Sequence, residues 1–470
     1  MKKLLQNIFL TIIIAICFSC ESYLDVEPKS SLSEDNLFSS QIGFQQALTG
    51  VYAKMASRPL YGDNMSMGFV SALAQNYNTE GTNAPLVQTR NYNYTSSEVI
   101  TITNNIWKES YNQIAAVNKV LENTEKNTGL LTEAQKNHYR GEALTLRAYL
   151  HFDLLRIFGK SVAFGPDSKA IPYKIIVDEK PTPASTTRQV LDLILKDLSD
   201  AAPLLKDSSM DYTLLSSRFS VNYYTVKALQ ARVYLYYGDN LNAYAAANEV
   251  VTSKKYTFIP TASVSTTEPN RDRLFTSELI FALRARDITT WEQNYFHFYL
   301  GSAGNSLTRP EKDINTIYEL SAGGSTDIRR LYLFGFDGGS LYPSKFWQTS
   351  SAVAQETRLD QIVPLIRLSE MYYILAETAD DTAKGVPFLN TVLASRNVNR
   401  VLNPATITPA NFKSELTKEY QKEFYGEGQM FFYYKRTNAA SINFYASPLT
   451  ANTYVLPVPD SEKEFNPSYD

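Results

Sequence analysis

The chain has two cysteines in 470 residues, and both, Cys17 and Cys20, fall within the first twenty. No disulfide framework staples the body of the protein, which must hold together by burial. Histidine is as scarce. His138, His151 and His297 are the whole complement, no two stand at a metal-ligand spacing, and neither HExxH nor a Cys/His cluster occurs. The sequence therefore predicts no metal site. It also lacks a P-loop, a GxGxxG turn and a GxSxG elbow, so it offers no common route to nucleotide, dinucleotide or acyl-transfer chemistry and no cofactor is expected. Positive charge is not in excess. The 45 Lys and Arg stand against 48 Asp and Glu, a net charge of −3, which excludes an electrostatic nucleic-acid binder. Carboxylate pairs such as Glu419 and Glu423 sit at helical spacing, where ion pairs or a solvated face account for them. No catalytic set stands out.

What the chain has in quantity is aromatic residues, 13% of the total with 32 Tyr, in a globular composition that is 44% hydrophobic. The stretch Gly141–Gly159, GEALTLRAYLHFDLLRIFG, reads as a helix ended by Gly159. It carries two apolar faces: Leu146, Leu150, Leu154 and Ile157 on one, Leu144, Ala148, Phe152 and Leu155 on the next. A surface helix needs only one. A helix with two is gripped from both sides, as in a stack. The segment also has an echo. Residues 143–152, ALTLRAYLHF, align without a gap to 228–237, ALQARVYLYY, with five of ten positions identical. Such recurrence predicts a helical repeat array.

The N-terminus is different in kind. Residues 1–20, MKKLLQNIFLTIIIAICFSC, join a positive start at Lys2 and Lys3 to an apolar run ending at Ser19-Cys20. This pattern is a targeting segment and not part of the fold. A small residue just before the cysteine resembles a bacterial lipobox, which implies cleavage after residue 19 and acylation of Cys20. No later apolar run is long enough to span a bilayer.

Helices are predicted from Ser33 to about Met55, near Ser66–Ala74, and at about Glu98–Thr124, Thr132–Phe158, Thr187–Leu205, Val221–Tyr237 and Asn240–Ser253. Further ones follow at Pro364–Thr378, Thr382–Ser395 and, last, Thr408–Tyr425. The Val221–Tyr237 and Asn240–Ser253 pair turns at Gly238-Asp239 and has the aromatic, glycine and small residues of a tetratricopeptide unit in Tyr234, Gly238, Ala243 and Ala247. Tyr256–Pro260 and Glu278–Arg284 read as short strands, and Asp287–Val363 as an irregular subdomain. The fold class is thus mainly α, a tetratricopeptide-like helical repeat scaffold with a loop-rich part containing short strands.

Two stretches, about 59–97 and 254–363, combine aromatic rings with amides. Flat rings stack on the apolar faces of sugars while amide side chains fix the hydroxyls. Candidate rings are Tyr61, Tyr77, Tyr92, Trp291, Tyr295 and Trp347; candidate polar partners are Asn64, Asn78 and Asn294. Trp291, between Thr289-Thr290 and Glu292-Gln-Asn294, reads as a loop residue that binds ligand. Trp107, in a helical segment, reads as scaffold.

Six segments resemble, in order, motifs of the SusD/RagB family, lipid-anchored nutrient-binding proteins of Bacteroidota. They are Cys20-Glu-Ser-Tyr-Leu-Asp-Val-Glu-Pro28, Gly141 to Gly159, Arg367-Leu-Ser-Glu-Met-Tyr-Tyr-Ile-Leu-Ala-Glu377, Phe388-Leu-Asn390 to Arg396, Glu419 to Arg436, and Pro457-Val-Pro-Asp-Ser-Glu-Lys-Glu-Phe-Asn-Pro467. Tyr420, Met430 and Tyr433 depart from the family pattern and mark a divergent branch. The resemblance implies about four tetratricopeptide-like helix pairs, and a signal peptide at 1–19 followed by one SusD-like domain at 20–470. Its scaffold would occupy about 33–253 and 364–436. It further implies a non-enzymatic, surface-exposed lipoprotein of the cell outer membrane that binds an oligosaccharide and delivers it to a SusC-like TonB-dependent transporter. Binding of peptides or another nutrient by the same mechanism, and a lipid-anchored glycan hydrolase, are the alternatives.

Overall fold

The structure, a computed structural model, describes residues 33–79, 86–127, 129–206, 210–267, 270–296, 307–337, 340–347, 359 and 361–469. The chain separates into one unit ending at Ala47 and a second running from Leu48. In the first, the helix predicted from Ser33 to Met55 is broken. Ser33 caps a single turn, Glu34–Leu37, and the chain restarts as helix α1, Gln41–Met55. Two serines make the break: Ser39 Oγ donates to Asn36 O at 2.8 Å, and Ser40 Oγ accepts the Gly43 N–H at 3.2 Å. Short hydroxyl side chains compete in this way with the helix's own backbone bonds.

In the second unit a succession of turns leads to α2 (Phe69–Leu73), and then come α3 (Ser97–Lys126) and α4 (Glu133–Phe158). A two-stranded ribbon, β1 (Lys169–Pro172) with β2 (Ala184–Thr186), precedes α5 (Thr187–Leu205), α6 (Tyr223–Tyr237) and α7 (Asn240–Thr252). Strand β3 (Leu279–Arg284) and helix α8 (Ile288–Phe296) open the less regular part. It continues through β4 (Arg309–Pro310), β5 (Phe334–Asp337) and β6 (Ser340–Pro343), an antiparallel sheet in the order β4-β6-β5. Strand β7 (Ile362–Arg367) returns to pair antiparallel with β3. Then follow α9 (Leu368–Thr378), α10 (Thr382–Ser395), α11 (Pro409–Glu423) and α12 (Gln429–Thr437), and a short helix, Asp460–Phe465, lies near the end.

Each of α3 to α6 packs on its successor, and α9 joins the stack against α7 before turning into α10. The hairpins α3/α4, α6/α7, α9/α10 and α11/α12, with α5 between α4 and α6, form the tetratricopeptide-like scaffold. The sequence explains the boundaries. Thr132, Thr186 and Asn222 each close a capping box with the residue three positions on. Gly238 ends α6 at φ +91°, the left-handed conformation that glycine adopts without strain. Helix α4 is the element held from two sides: every residue from Gly141 to Phe158 is buried.

Several expectations need correction. The helix predicted from Pro364 begins at Leu368, because the branched Ile362, Val363 and Ile366 are drawn into β7 by pairing with β3. Tyr256–Pro260 joins no strand. The stretch predicted as irregular holds α8 and the short helices Glu311–Ile317 and Ile328–Tyr332. The Thr408–Tyr425 helix is not the last, since α12 follows Gly428.

Three of the six sequence motifs meet at the end of α11 in a buried ionic network. Arg396 bonds Glu278 at 2.6 Å and Glu423 at 2.7 Å. Arg329 reaches Asp327 at 2.7 Å and both Glu419 and Glu423 at 2.9 Å. Arg367 bonds Glu423, and Glu427 at 2.9 Å, while Lys345 pairs with Glu427 and Lys422 with Glu419 at 2.7 Å. Burial opposes the charge on Glu423, but Arg396 and Arg367 outweigh it and hold the carboxyl well below its ordinary range. Glu419 and Glu423 are thus ion-paired, as their spacing suggests, and inside the protein instead of on its face.

Candidate functional site

The chain leaving α1 coils through a set of tight turns, with Asn64 N–H bonded to Arg58 O and Gly68 N–H to Asp63 O. These turns bury the Asp63 side chain completely. Its Oδ2 accepts two bonds, from Arg58 Nε at 3.1 Å and from the Tyr295 hydroxyl of α8 at 3.0 Å. Its Oδ1 has no hydrogen-bond partner among the described residues and lies where any side chain at position 68 would stand, 2.0 Å from the Cβ site, so only glycine fits there. One turn back along α8, Trp291 receives the Arg58 guanidinium over its ring, 4.1 Å from the centroid, the geometry of a cation–π contact.

This cluster forms one wall of a cleft of about 630 Å³. Asn64, Asn294 and Tyr295 line that wall together with Arg58 and Pro59; the facing wall is α3, which presents Ser97, Glu98, Thr101, Ile102 and Asn105 at helical spacing. Leu86 completes the lining. Two further clefts, of about 430 and 290 Å³, are smaller. Burial pushes the Asp63 carboxyl up to about 6, against the bonds and charge of Arg58. Glu98 is also raised by burial, with Thr89 opposing. Amide, hydroxyl and guanidinium groups around an apolar floor suit a polyhydroxylated ligand. No cluster of metal ligands occurs among the described residues.

Of the nine residues expected to bind ligand, the structure brings Asn64, Asn294 and Tyr295 into the cleft and Trp291 to its edge. Trp291 lies on a helix, α8, and not in the loop expected. Tyr61 and Tyr77 are core residues, 3% and 0% exposed, and their hydroxyls are consumed by Asp153 Oδ2 and Met67 O, each at 2.7 Å. Tyr92 is half-buried, its hydroxyl on Leu73 O and its ring edge-on to Tyr445. Asn78 bridges Thr308 through the backbone. Trp347 is half-buried and accepts a bond from Arg273 on its carbonyl. None of Tyr92, Asn78 or Trp347 lines the cleft. Cys20 lies outside the described residues. Sequence reasoning missed Arg58, Asp63 and the α3 face. Ser97, Thr101 and Asn105 recur every four residues, but that stripe looks like any solvated helix face.

Comparison with known proteins agrees with this architecture. A SusD-like family model, described as starch-binding associating with outer membrane, matches residues 22–235. A SusD-like protein of Formosa agariphila is 30% identical over 262 residues, 54% of this chain and 46% of that protein. The chain thus spans about half the length of this curated relative. Among solved structures, a SusD superfamily protein of Bacteroides thetaiotaomicron superposes with a TM-score of 0.71 at 21% identity, over 91% of this chain and 98% of the other. A laminarin-binding SusD-like protein gives 0.62 at 18% identity, over 91% and 98%. No helix among the described residues is long and apolar enough to cross a membrane. The chain is thus similar in sequence to SusD-like proteins over residues 22–235, and it shares the SusD-like helical fold over most of its length.

Proposed function

We propose that this protein is a cell-surface lipoprotein of the outer membrane that captures an oligosaccharide in the cleft between the Arg58–Asn64 turns, α3 and α8. The observation that carries the reading is the convergence of Arg58 and Asn64 with Asn294 and Tyr295, from two stretches distant in sequence, on that one cleft, with Trp291 beneath Arg58. Indole and phenol rings supply flat apolar surface, and the amides and guanidinium supply the donors that orient hydroxyls. The family description and the laminarin-binding neighbour support a glycan over a peptide. Acylated Cys20 anchors a single SusD-like domain, residues 20–470. Bound glycan passes unaltered to a SusC-like TonB-dependent transporter, and the protein is not an enzyme.

Calorimetry with laminarin and with starch, xylan and pectin oligosaccharides tests the binding, and chromatography of the incubated glycans tests for turnover. Heat of binding to at least one glycan, lost in Trp291→Ala with no products formed, is the expected result. Cleaved glycan, or binding indifferent to Trp291, overturns the reading. Membrane retention of the Cys20→Ala protein would overturn the anchor.

A further inference from the structure

We propose that Asp63 is a positioning residue for the cleft: its ionised carboxylate holds Arg58 over Trp291 and toward the ligand space, and protonation of Asp63 releases Arg58. The inference rests on the reading of this cleft as the glycan site.

The geometry is lopsided. Asp63 is wholly buried, and one of its oxygens, Oδ2, takes both bonds, from Arg58 and from Tyr295, while Oδ1 is left without a partner among the described residues. The side chain that balances its charge, Arg58, is 52% exposed, so water competes for the same guanidinium. A proton arriving at this carboxyl has one free place, Oδ1. The carbonyl oxygen that remains still accepts from Tyr295, but the attraction between unlike charges that fixes Arg58 is gone. Arg58 then keeps its contacts with the indole and the Tyr295 hydroxyl but no counter-charge, and is free to turn into solvent. The titratable groups facing Asp63 are Arg58 from the turns after α1, Tyr295 from α8, and Tyr77, whose buried phenol stays neutral. Glu98 enters the same cleft from α3 and titrates separately. The raised carboxyl, at about 6, puts the release close to neutral pH.

Fluorine NMR of the full chain labelled with 5-fluorotryptophan reads the contact directly and needs no glycan. The three tryptophans give three signals, and Trp291→Phe identifies the one over which Arg58 lies. From pH 8 to pH 5 that signal is expected to shift with a midpoint near 6, while the signal of Trp107 stays in place. Asp63→Asn, confirmed folded by its melting curve, should abolish the shift; if it does not fold, Arg58→Gln serves in its place and should abolish it too. A Trp291 signal that does not titrate in the native protein, or that titrates equally in the folded variant, overturns the proposal. Failure of every glycan to bind would instead overturn the reading of the cleft and leave the fluorine result standing.

Discussion

Arg147 and Arg232 occupy the same place in two helices, α4 and α6, that share five of ten residues, and each grips a carboxylate on a helix packed against its own. Arg147 meets Asp197 of α5 through Nε and Nη2, both at 2.7 Å; Arg232 meets Glu370 of α9 through the same two nitrogens, both at 2.6 Å. The repeat heard in the sequence is therefore a repeated ion pair as well as a repeated apolar stripe. Two parallel bonds fix how far one helix slides along the next.

Removing one member of such a buried pair leaves the other charged and alone. Asp197→Ala and Glu370→Ala should each lose about 3–5 kcal/mol of stability. Urea denaturation followed by far-ultraviolet circular dichroism measures it. A loss below about 1 kcal/mol, the level of a surface pair, would show the pairs to be dispensable.

Trp107 and Trp291 should respond oppositely to truncation. Trp107 is 6% exposed and packed between Tyr111 and Phe158, so Trp107→Ala should cost about 3–5 kcal/mol of stability. Trp291 is half-buried under an exposed guanidinium. Trp291→Ala should weaken glycan binding by roughly 1–3 kcal/mol, the burial energy of a large side chain, while shifting the melting temperature little. A large fall in melting temperature with unchanged affinity would make it a structural residue.

His151 predicts a pH effect. It is buried in α4 with its ring stacked 3.9 Å from Tyr173; Nε2 accepts the Lys174 N–H at 3.0 Å, so Nδ1 carries the proton and faces Arg147 O at 2.9 Å. Burial holds its pKa down at about 3. The unfolded chain takes the proton near 6.5, so the stability gained by keeping the ring neutral is complete above that pH. It drains away as pH falls from 6.5 toward 3, at about 1.4 kcal/mol per unit. His151→Gln has no such loss, so its deficit relative to the native protein should shrink by about 2 kcal/mol between pH 7.5 and pH 5. Glu142 and Asp63, both raised, titrate in the opposite sense and cancel in the difference. A deficit constant over that range would contradict a neutral buried imidazole.

Gly238 and Gly428 separate two costs. Both have positive φ, +91° and +75°. A Cβ at Gly238 meets open space, whereas at Gly428 it would lie 2.6 Å from Met65 O. Gly238→Ala should lose about 1–2 kcal/mol from conformation alone, and Gly428→Ala distinctly more, since a backbone oxygen must also move. Paired urea melts give the order, and equal losses would remove the steric component.

The scaffold was legible because helices announce themselves locally. Apolar spacing, Thr132, Thr186 and the Gly238 turn are all written within a few residues of what they control. Strand β7 was not, because Ile362–Arg367 owes its conformation to β3, some eighty residues away in the chain. Helix α12 was hidden behind Gly428, which reads as a stop although it serves here as a start. The cleft was half legible. Asn64, Asn294, Tyr295 and Trp291 stand out as polar-aromatic loop chemistry, but so do Tyr61 and Tyr77, and only the fold distinguishes a ring facing a cavity from one facing Asp153 or Met67. Arg58 and Asp63 gave no signal, because their meaning lies in a contact with residue 295.

The ionic network under α11 also bears on how the protein can be made. Synthesis proceeds from the N-terminus, and Glu278 must wait for Arg396, 118 residues further on, before its charge is balanced. Glu427 closes the set later still. A nascent chain cannot bury β3 for good until most of its length has emerged, and a product that stops short of Glu427 holds Arg367 and Lys345 with their shared carboxylate missing. The native state is thereby reserved for finished chains, and truncated ones stay open to proteases.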